Sequence, residues 1–564
     1  PINSQWGRAQ LSPPVTPLPT LTANGNGLAS TSVFVPTGAA GVNVWFQAMD
    51  WGSQTLSNGL RVATENMPSM RSAAIGIWSR RYVKDMSDFV VAGRSLKSHL
   101  GIATMIGTEL GLVTVMFAAQ KGFTGGFAAF HIAVCAGVVC LVVGWSGFIV
   151  VPLRRMGVMT IPEFYERRFG RGVRILGGLL LALSGILNMG MFLKAGSIFV
   201  VEVTGLEETT IKWVMTALLS LVLFYTILGG MISIVLTDYV QFVVLSFGLI
   251  VTTLFAIQEL GWEHIVSGVE KLKGVGGFDP IASEAFGLDY VVWMIFLGLV
   301  SCAIWQTAVM RACSARSVED VKRIYAWSSI GFLIRFLVPN FLGLCALVYF
   351  ADHAELFPEG LEGEGGNGLQ AMPRFLGILL PSGLLGLVAA GMLAAFMSTH
   401  DSYLLCWSSV LTQDVIAPLR GNRMSTASRL NLTRLLIFAI GIFLLIWSLW
   451  YELRQDLWDY MAITGAIYFT GAFALLVAGL YWKKASRTGA YLALVVGLSA
   501  VLGLKPIQDA IQGLLDVELE WDAEIIGIST VAASSLVMVL GSLAFPDRRG
   551  PGAEDETARV EVTT

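Results

Sequence analysis

The chain has 564 residues, of which 55% are hydrophobic and only 14% are charged. Soluble domains usually carry about 25% charged residues, so this composition indicates a protein whose solvent is a lipid bilayer. The net charge of −3 gives no reason to expect a nucleic-acid partner, and six cysteines without a CxxC pair predict no disulfide framework.

The N-terminal segment differs from the rest of the chain. Residues 1–80 are rich in Pro, Ser, Thr, Gly and Asn, and we expect them to be atypical and mostly disordered. Within them, residues 55–78 resemble the start of a processing-peptidase-like (insulinase-type) protein, as if an upstream gene were joined here. The sequence contains no HxxEH motif, so zinc peptidase chemistry is not expected.

Beyond residue 80, long apolar runs predict membrane-spanning helices, each needing about 20 residues to cross the bilayer. We predict twelve spans: 99–120, 126–151, 173–202, 211–228, 231–257, 289–310, 325–351, 379–413, 430–450, 457–481, 488–504 and 523–545. Lys and Arg concentrate in every second loop, which predicts a cytoplasmic C-terminus. The predicted organisation is a ten-helix core over 81–482, two additional transmembrane helices over 483–546, and a disordered cytoplasmic tail over 547–564.

A carboxylate lies in the middle of the predicted first span. Glu109 is flanked by Gly107 and Gly111, and glycine loosens a helix. A broken helix exposes carbonyl oxygens that can bind a cation, so we expect a functional role for this region. The alternative is a simple kink with Glu109 in a water-filled vestibule.

Two adjacent hydroxyls, Ser398 and Thr399, lie within the predicted eighth span. Together with the carbonyl of Ala395, about one turn earlier, they would supply three oxygen ligands for a hard cation such as sodium. The alternative is that these hydroxyls bond back to carbonyls of their own helix.

Other polar residues within the predicted spans are candidate substrate or coupling residues. Asp238, near the start of the fifth span, is either a relay for ion exit or a helix-start carboxylate. Lys194 is central in the third span, so we expect it to face the interior and pair with a carboxylate or a substrate. Trp305 and Gln306 in the sixth span suit a polar organic solute, although aromatic residues in helices mostly serve packing.

Four motifs in order resemble signatures of the sodium:solute symporter family. They are Asp88–Leu96, Thr160–Phe164 with Arg167–Gly170, Gly229–Met231 with Thr237–Gln241, and Ala395–Thr399 with Asp401–Ser402. The resemblance implies an all-α integral membrane protein of leucine-transporter-type fold. In that fold two inverted repeats of five helices, here followed by about two C-terminal helices, bind ion and solute where the first helix of each repeat is broken.

The resemblance also implies site residues. It places sodium between the carbonyls of Gly107 and Leu110 in the first span and Ala395, Ser398 and Thr399 in the eighth. Asp238 matches the inner-gate aspartate of the family, and Glu109 falls where some members have an aspartate important for sodium.

We therefore expect a sodium-coupled secondary active symporter, not an enzyme, that imports a small polar organic solute by alternating access. The expected setting is the plasma (inner) membrane, crossed many times, with no obligate protein partner. One alternative is a proton-coupled symporter of the same fold in which Glu109 and Asp238 relay protons. A non-transporting sensor or a channel is a different class, but no kinase or receiver-like tail follows residue 546 and no pore-loop filter is visible.

Overall fold

The computed structural model of the chain describes residues 91–358, 360–361, 368–451, 456–515 and 521–547, together with four short strands near the N-terminus. Ile2–Ser4 pairs with Gly7–Ala9, and Ser30–Phe34 pairs with Asn43–Gln47, both antiparallel. The peptidase-like stretch 55–78 and residues 548–564 lie outside the described residues. Disorder of the N-terminal segment and of the tail therefore stays a prediction, as do the proposed domain boundaries.

From residue 98 onward the described chain is helical. We number the helices α1 (Ser98–Glu109), α2 (Leu112–Gly125), α3 (Phe130–Ser146), α4 (Val150–Met156), α5 (Ile161–Phe169), α6 (Arg171–Asn188), α7 (Phe192–Thr204), α8 (Ile211–Leu260), α9 (Trp262–Lys273), α10 (Leu288–Leu299), α11 (Gln306–Ser314), α12 (Val318–Asp352), α13 (Gly368–Leu379), α14 (Ser382–Val410), α15 (Thr426–Trp450), α16 (Leu457–Tyr481), α17 (Arg487–Gly497), α18 (Lys505–Leu515) and α19 (Ala523–Ala544). Wide helical turns extend α10 over Val300–Ile304 and α14 over Leu411–Ile416.

Among the described residues, eight helices are long and apolar enough to cross a membrane, and two bent pairs raise the number to ten. The sequence predicts twelve spans. Part of the difference arises because α2 continues through a short turn into α3, which merges the end of the first predicted span with the second.

The rest of the difference lies in α8. There Val243–Leu260 is long and apolar enough to cross a membrane and Ile211–Phe224 is a shorter apolar stretch, while the backbone runs unbroken over the predicted boundary at 228–231. Gly229 and Gly230 lower helix propensity there but leave the backbone hydrogen bonds possible, so they need not end a helix. For Tyr225 and residues 227–242 of α8 only the backbone is described.

Close helix packing sets the centre of the bundle. A Cβ atom added to Gly122 of α2 would lie 1.9 Å from the carbonyl oxygen of Asn340 in α12, and one added to Gly343 of α12 would lie 1.9 Å from that of Ala119. Glycine is what allows these two backbones to touch, as in many membrane helix pairs.

Helix α14 contains a long enclosed polar segment. Every side chain from Ala394 to Val410 is buried, including those of Ser398 and Thr399. Polar side chains within a span are costly against lipid, so their enclosure by protein is expected of a functional segment.

Candidate functional site

The first span is broken between α1 and α2. Leu110 (φ −90°, ψ 61°) and Gly111 (φ −83°, ψ 165°) leave the helical conformation. Among the backbone groups of the described residues, none donates a hydrogen bond to the carbonyl oxygen of Gly107 or Leu110. Carbonyls without a backbone donor in a broken membrane helix are suited to bind a cation. The helix itself runs through Gly107, so the break lies slightly later than the glycine pattern suggests.

The sixth span is broken too. The wide turn Val300–Ile304 is followed by Trp305 in extended conformation (φ −73°, ψ 127°), and α11 leaves at an angle of 42°. A break in this span is what the family resemblance implies, and the sequence around Trp305 contains no glycine or proline that would locate it.

Thr399 of α14 reaches the first break. Its Oγ1 donates to the carbonyl oxygen of Ala395 at 3.0 Å and lies 3.5 Å from the carbonyl oxygen of Thr108. A Cβ atom on Gly111 would lie only 2.1 Å from the same Oγ1. The hydroxyl therefore bonds back to its own helix and also faces the broken one, with its lone pairs available for an ion.

Glu109 forms an ion pair that the sequence pattern does not disclose. Its Oε2 accepts a hydrogen bond of 2.5 Å from Nη1 of Arg335 in α12, whose side chain is 3% exposed. The guanidinium of Arg335 lies over the rings of Phe332 and Phe336, with its carbon 4.0 and 4.6 Å from the ring centroids. Arg335 lies near the middle of the predicted seventh span, and that depth alone marks it as a functional candidate.

A cavity of about 90 Å³ adjoins this ion pair. It is lined by side chains of α1, α2, α6, α10, α12, α14 and α16, and the two broken spans meet there. Trp305 contributes to its wall, and its Nε1 donates to the hydroxyl of Tyr403 in α14 at 3.0 Å.

A second arginine joins the elements around the first break. Arg311 of α11, which is 1% exposed, donates from Nη2 to Oγ1 of Thr108 at 2.5 Å and to Oγ of Ser402 at 3.1 Å. Its Nη1 donates to the carbonyl oxygen of Thr307 at 2.9 Å. In the sequence Arg311 resembles an ordinary loop charge because it follows the last residue of the predicted sixth span.

Two other predicted residues, Lys194 and Gln306, lie elsewhere. Lys194 donates to the carbonyl oxygen of Tyr451 at 3.3 Å, a helix-end position that suits a cation, and it does not line the cavity. Gln306 accepts from the backbone N–H of Ile161 at 2.9 Å, so its amide holds the start of α5 rather than facing the cavity. The side chain of Asp238 lies outside the described residues.

Two clusters of charged side chains connect helices from different parts of the chain, one near the C-terminal end of α2 and one just after α14. At the end of α2, Nζ of Lys121 contacts Asp456 at 2.8 Å and Asp459 at 2.9 Å. Beyond α14, Oδ1 of Asp414 accepts from Oγ1 of Thr160 at 3.0 Å and from Nε of Arg174 at 2.8 Å. Both clusters tie a span of one half of the chain to a span of the other.

Comparison with known proteins identifies relatives across most of the helical region. The sodium:solute symporter family model matches residues 89–497. Sodium/glucose cotransporter 4 of Danio rerio is 26% identical over 467 residues, covering 75% of this chain and 68% of the relative. The high-affinity proline transporter PutP of Bacillus subtilis is 24% identical over 459 residues, covering 76% and 88%.

The solved structures show the fold. A Na⁺-coupled sialic acid symporter in a substrate-bound outward-open state superposes with a TM-score of 0.72 at 18% identity, over 87% of this chain and 99% of that one. The prediction of an all-α integral membrane protein of leucine-transporter-type fold is confirmed, while the division into five plus five helices stays a prediction. The chain belongs to the sodium:solute symporter family, so it is a transporter rather than an enzyme and sodium is its co-transported ion.

Proposed function

We propose that the chain imports a small polar organic solute together with sodium, which binds between the first break and α14. Its ligands would be the carbonyl oxygens of Gly107, Leu110 and Ala395 and the hydroxyls of Ser398 and Thr399. The observation that carries this assignment is the approach of Thr399 to a broken helix whose carbonyls have no backbone donors among the described residues. Oxygen ligands of this kind suit a hard monovalent cation.

The cavity beside Glu109 is the proposed solute site. It lies where the two broken spans converge, close to the proposed ion ligands, so an ion and a solute can stabilise the same closed arrangement. Relatives are named for glucose and proline, and a structural neighbour for sialic acid. Because these proteins are named for different solutes, the solute class of this chain has to be inferred from its own cavity.

The energy source would be the sodium gradient together with the membrane potential. Moving one positive charge inward gains about 2.3 kcal/mol per 100 mV. In alternating access the protein uses this gain by binding sodium first, and the bound sodium favours the state that accepts the solute. Plasma-membrane location and a cytoplasmic C-terminus are part of this proposal, and the basic residues in alternate loops support them.

The test is uptake by the full chain in proteoliposomes. Solute uptake should require an inward sodium gradient, and the double variant Ser398→Ala/Thr399→Ala should raise the half-maximal sodium concentration more than that of the solute. Ser220→Ala, on an exposed face of α8, is the matched hydroxyl control and should change neither. Uptake that proceeds equally in potassium would refute sodium coupling.

Proton coupling is the rival within the same fold. In this structure the carboxylate of Glu109 contacts Nη1 of Arg335 at 2.5 Å, and none of the proposed sodium ligands is a carboxylate. Uptake driven by a pH gradient in sodium-free buffer would favour the rival.

A further inference from the structure

Helices α3 and α12 pack against each other in opposite directions. A Cβ atom on Gly137 of α3 would lie 2.9 Å from Cβ of Leu333, and one on Gly144 would lie 2.4 Å from the backbone nitrogen of Ala326. The contacts thus move towards the start of α12 as α3 advances. Glycine at both positions brings the two backbones close together, and two packed helices leave a groove on each side of their seam.

One of these grooves carries two exposed tryptophans. Trp145 follows Gly144 and Trp327 follows Ala326, so each side chain is turned by about 100° from the seam. Because the helices are antiparallel, both turns point to the same side of the pair, which we call the α3–α12 groove. The indole-bearing residues are 80% exposed at Trp145 and 62% exposed at Trp327. They lie near the end of α3 and in the first half of α12, as expected for Trp at a membrane interface.

Exposed apolar side chains continue along the same side of the pair. They recur every three or four residues and are Val134, Val138, Leu141 and Val142 on α3, with Ile330 and Ile334 on α12. The rise from Val134 to Trp145 is about 16 Å, close to half of the roughly 30 Å hydrocarbon core. The apolar stretch therefore has the depth of one leaflet, which fits an acyl chain.

Two basic side chains lie at the tryptophan end of the groove. Arg323 is exposed one turn before Trp327 and therefore shares its face of α12. Lys322 is exposed beside it, and its Cε lies 3.3 Å from the Cβ position of Gly147, just past the end of α3. In the part of the chain that the structure describes, neither cation forms an ion pair.

Nearby acidic residues do not neutralise these cations. Asp320 already pairs with Arg316 and accepts hydrogen bonds from two serines. Glu319, in the first turn of α12, is exposed and leaves one positive charge when set against Arg323 and Lys322. A free guanidinium can hold a phosphate with two parallel hydrogen bonds.

We propose that the α3–α12 groove binds one anionic phospholipid of the cytoplasmic leaflet. Its phosphate contacts Arg323 and Lys322, its glycerol region lies between Trp145 and Trp327, and one acyl chain follows the apolar side chains. Basic residues beside a span attract the anionic lipids of that leaflet. The choice of leaflet rests on the orientation proposed above, whereas the groove shares no residue with the proposed sodium and solute sites.

The test counts lipids bound to the full chain purified in detergent. Dioleoyl phosphatidylglycerol or dioleoyl phosphatidylcholine is added, and native mass spectrometry measures the lipid molecules retained per protein. We expect the first phosphatidylglycerol to bind about tenfold more tightly, because the choline cation opposes the two basic side chains. The melting temperature should also rise more with phosphatidylglycerol, since a ligand of the folded state stabilises it.

Variants locate the binding in the groove. Arg323→Gln should weaken phosphatidylglycerol binding about fivefold and leave phosphatidylcholine unchanged. Arg420→Gln is the matched control, because that arginine is also exposed but lies in the loop after α14. The double variant Trp145→Ala/Trp327→Ala should weaken both lipids, because it removes apolar contact that does not depend on charge.

Three outcomes would overturn the proposal. Equal binding of the two lipids would remove the role of the cations. Equal losses in Arg323→Gln and Arg420→Gln would show a general attraction to a basic surface rather than a site. A dimer that forms without lipid and dissociates in the double tryptophan variant would assign the groove to a second copy of the chain. None of these results bears on sodium-coupled uptake, which is measured separately.

Discussion

Gly111→Ala is the sharpest single test of the proposed sodium site. The new Cβ atom would lie 2.1 Å from Oγ1 of Thr399, where real contacts essentially never fall below 3.0 Å. About 0.9 Å of space must therefore be opened between the break and α14, and overpacking of this kind typically costs about 1 to 3 kcal/mol. If the whole cost falls on the ion-bound arrangement, the sodium dissociation constant rises about 5- to 150-fold.

The assay needs no solute. Sodium that binds the folded protein raises its melting temperature relative to potassium, and the sodium dependence of that rise gives the affinity. Gly386→Ala is the matched control, because it lies on α14 and a Cβ atom there would meet nothing within 4 Å. In a Thr399→Ala background the extra penalty of Gly111→Ala should shrink, since the clashing oxygen is gone.

The result that would refute this reasoning is a Gly111→Ala protein that folds and binds sodium with unchanged affinity. A loss of affinity equal in both backgrounds would show that the added methyl group acts through the backbone rather than through Thr399.

Three further predictions concern the stability of the bundle in detergent. Lys121→Met leaves two largely buried aspartates without their cation and should lower the unfolding free energy by about 3 to 5 kcal/mol. Arg316→Gln should cost about 1 kcal/mol or less, because that arginine is 60% exposed and its partner Asp320 keeps hydrogen bonds from Ser98 and Ser317. Chemical unfolding measures the two losses of unfolding free energy, and equal losses would contradict the argument that burial makes the Lys121 pairs costlier to break. Gly122→Ala should destabilise by about 1 to 3 kcal/mol because its Cβ would meet backbone, while Gly383→Ala should not, as thermal melting can show. Asp414→Asn removes one of the two carboxylates that pair with Arg174 and should cost about 1 to 3 kcal/mol, because Glu166 remains; a melting temperature like that of the unaltered protein would argue against this.

Local sequence indicated a weak first span and a pair of hydroxyls, and the family resemblance supplied the expectation that the two meet. Glycines beside a carboxylate at mid-membrane depth mark a weak helix, and adjacent hydroxyls on a later span mark its partner. The position of the break was not predictable to the residue. Gly107 stays in the helical conformation. Gly111 leaves it, at a position where Oγ1 of Thr399 leaves no room for a Cβ atom. That requirement comes from a contact between distant parts of the chain.

The partners of the buried charges could not be predicted. Glu109 and Arg335 are separated by 226 positions in the sequence, and only the packing of α12 against α1 brings them together. Hydropathy gives the depth of a charged residue in the membrane but not the direction in which it faces. For the same reason Gln306, adjacent to the cavity-lining Trp305, faces α5 instead. A rotation of one residue along a helix, about 100°, is enough to exchange a ligand contact for a structural one.

The guanidinium of Arg311 connects three helices by hydrogen bonds. Because one nitrogen contacts Thr108 of α1 and Ser402 of α14 from a side chain carried by α11, these parts cannot separate one at a time without breaking charge-assisted hydrogen bonds away from water. The N-terminal half of the first span and the C-terminal half of the sixth are thus mechanically linked. A displacement of Thr108 beside the proposed ion site would therefore pull on α11, which begins directly after the cavity-lining Trp305.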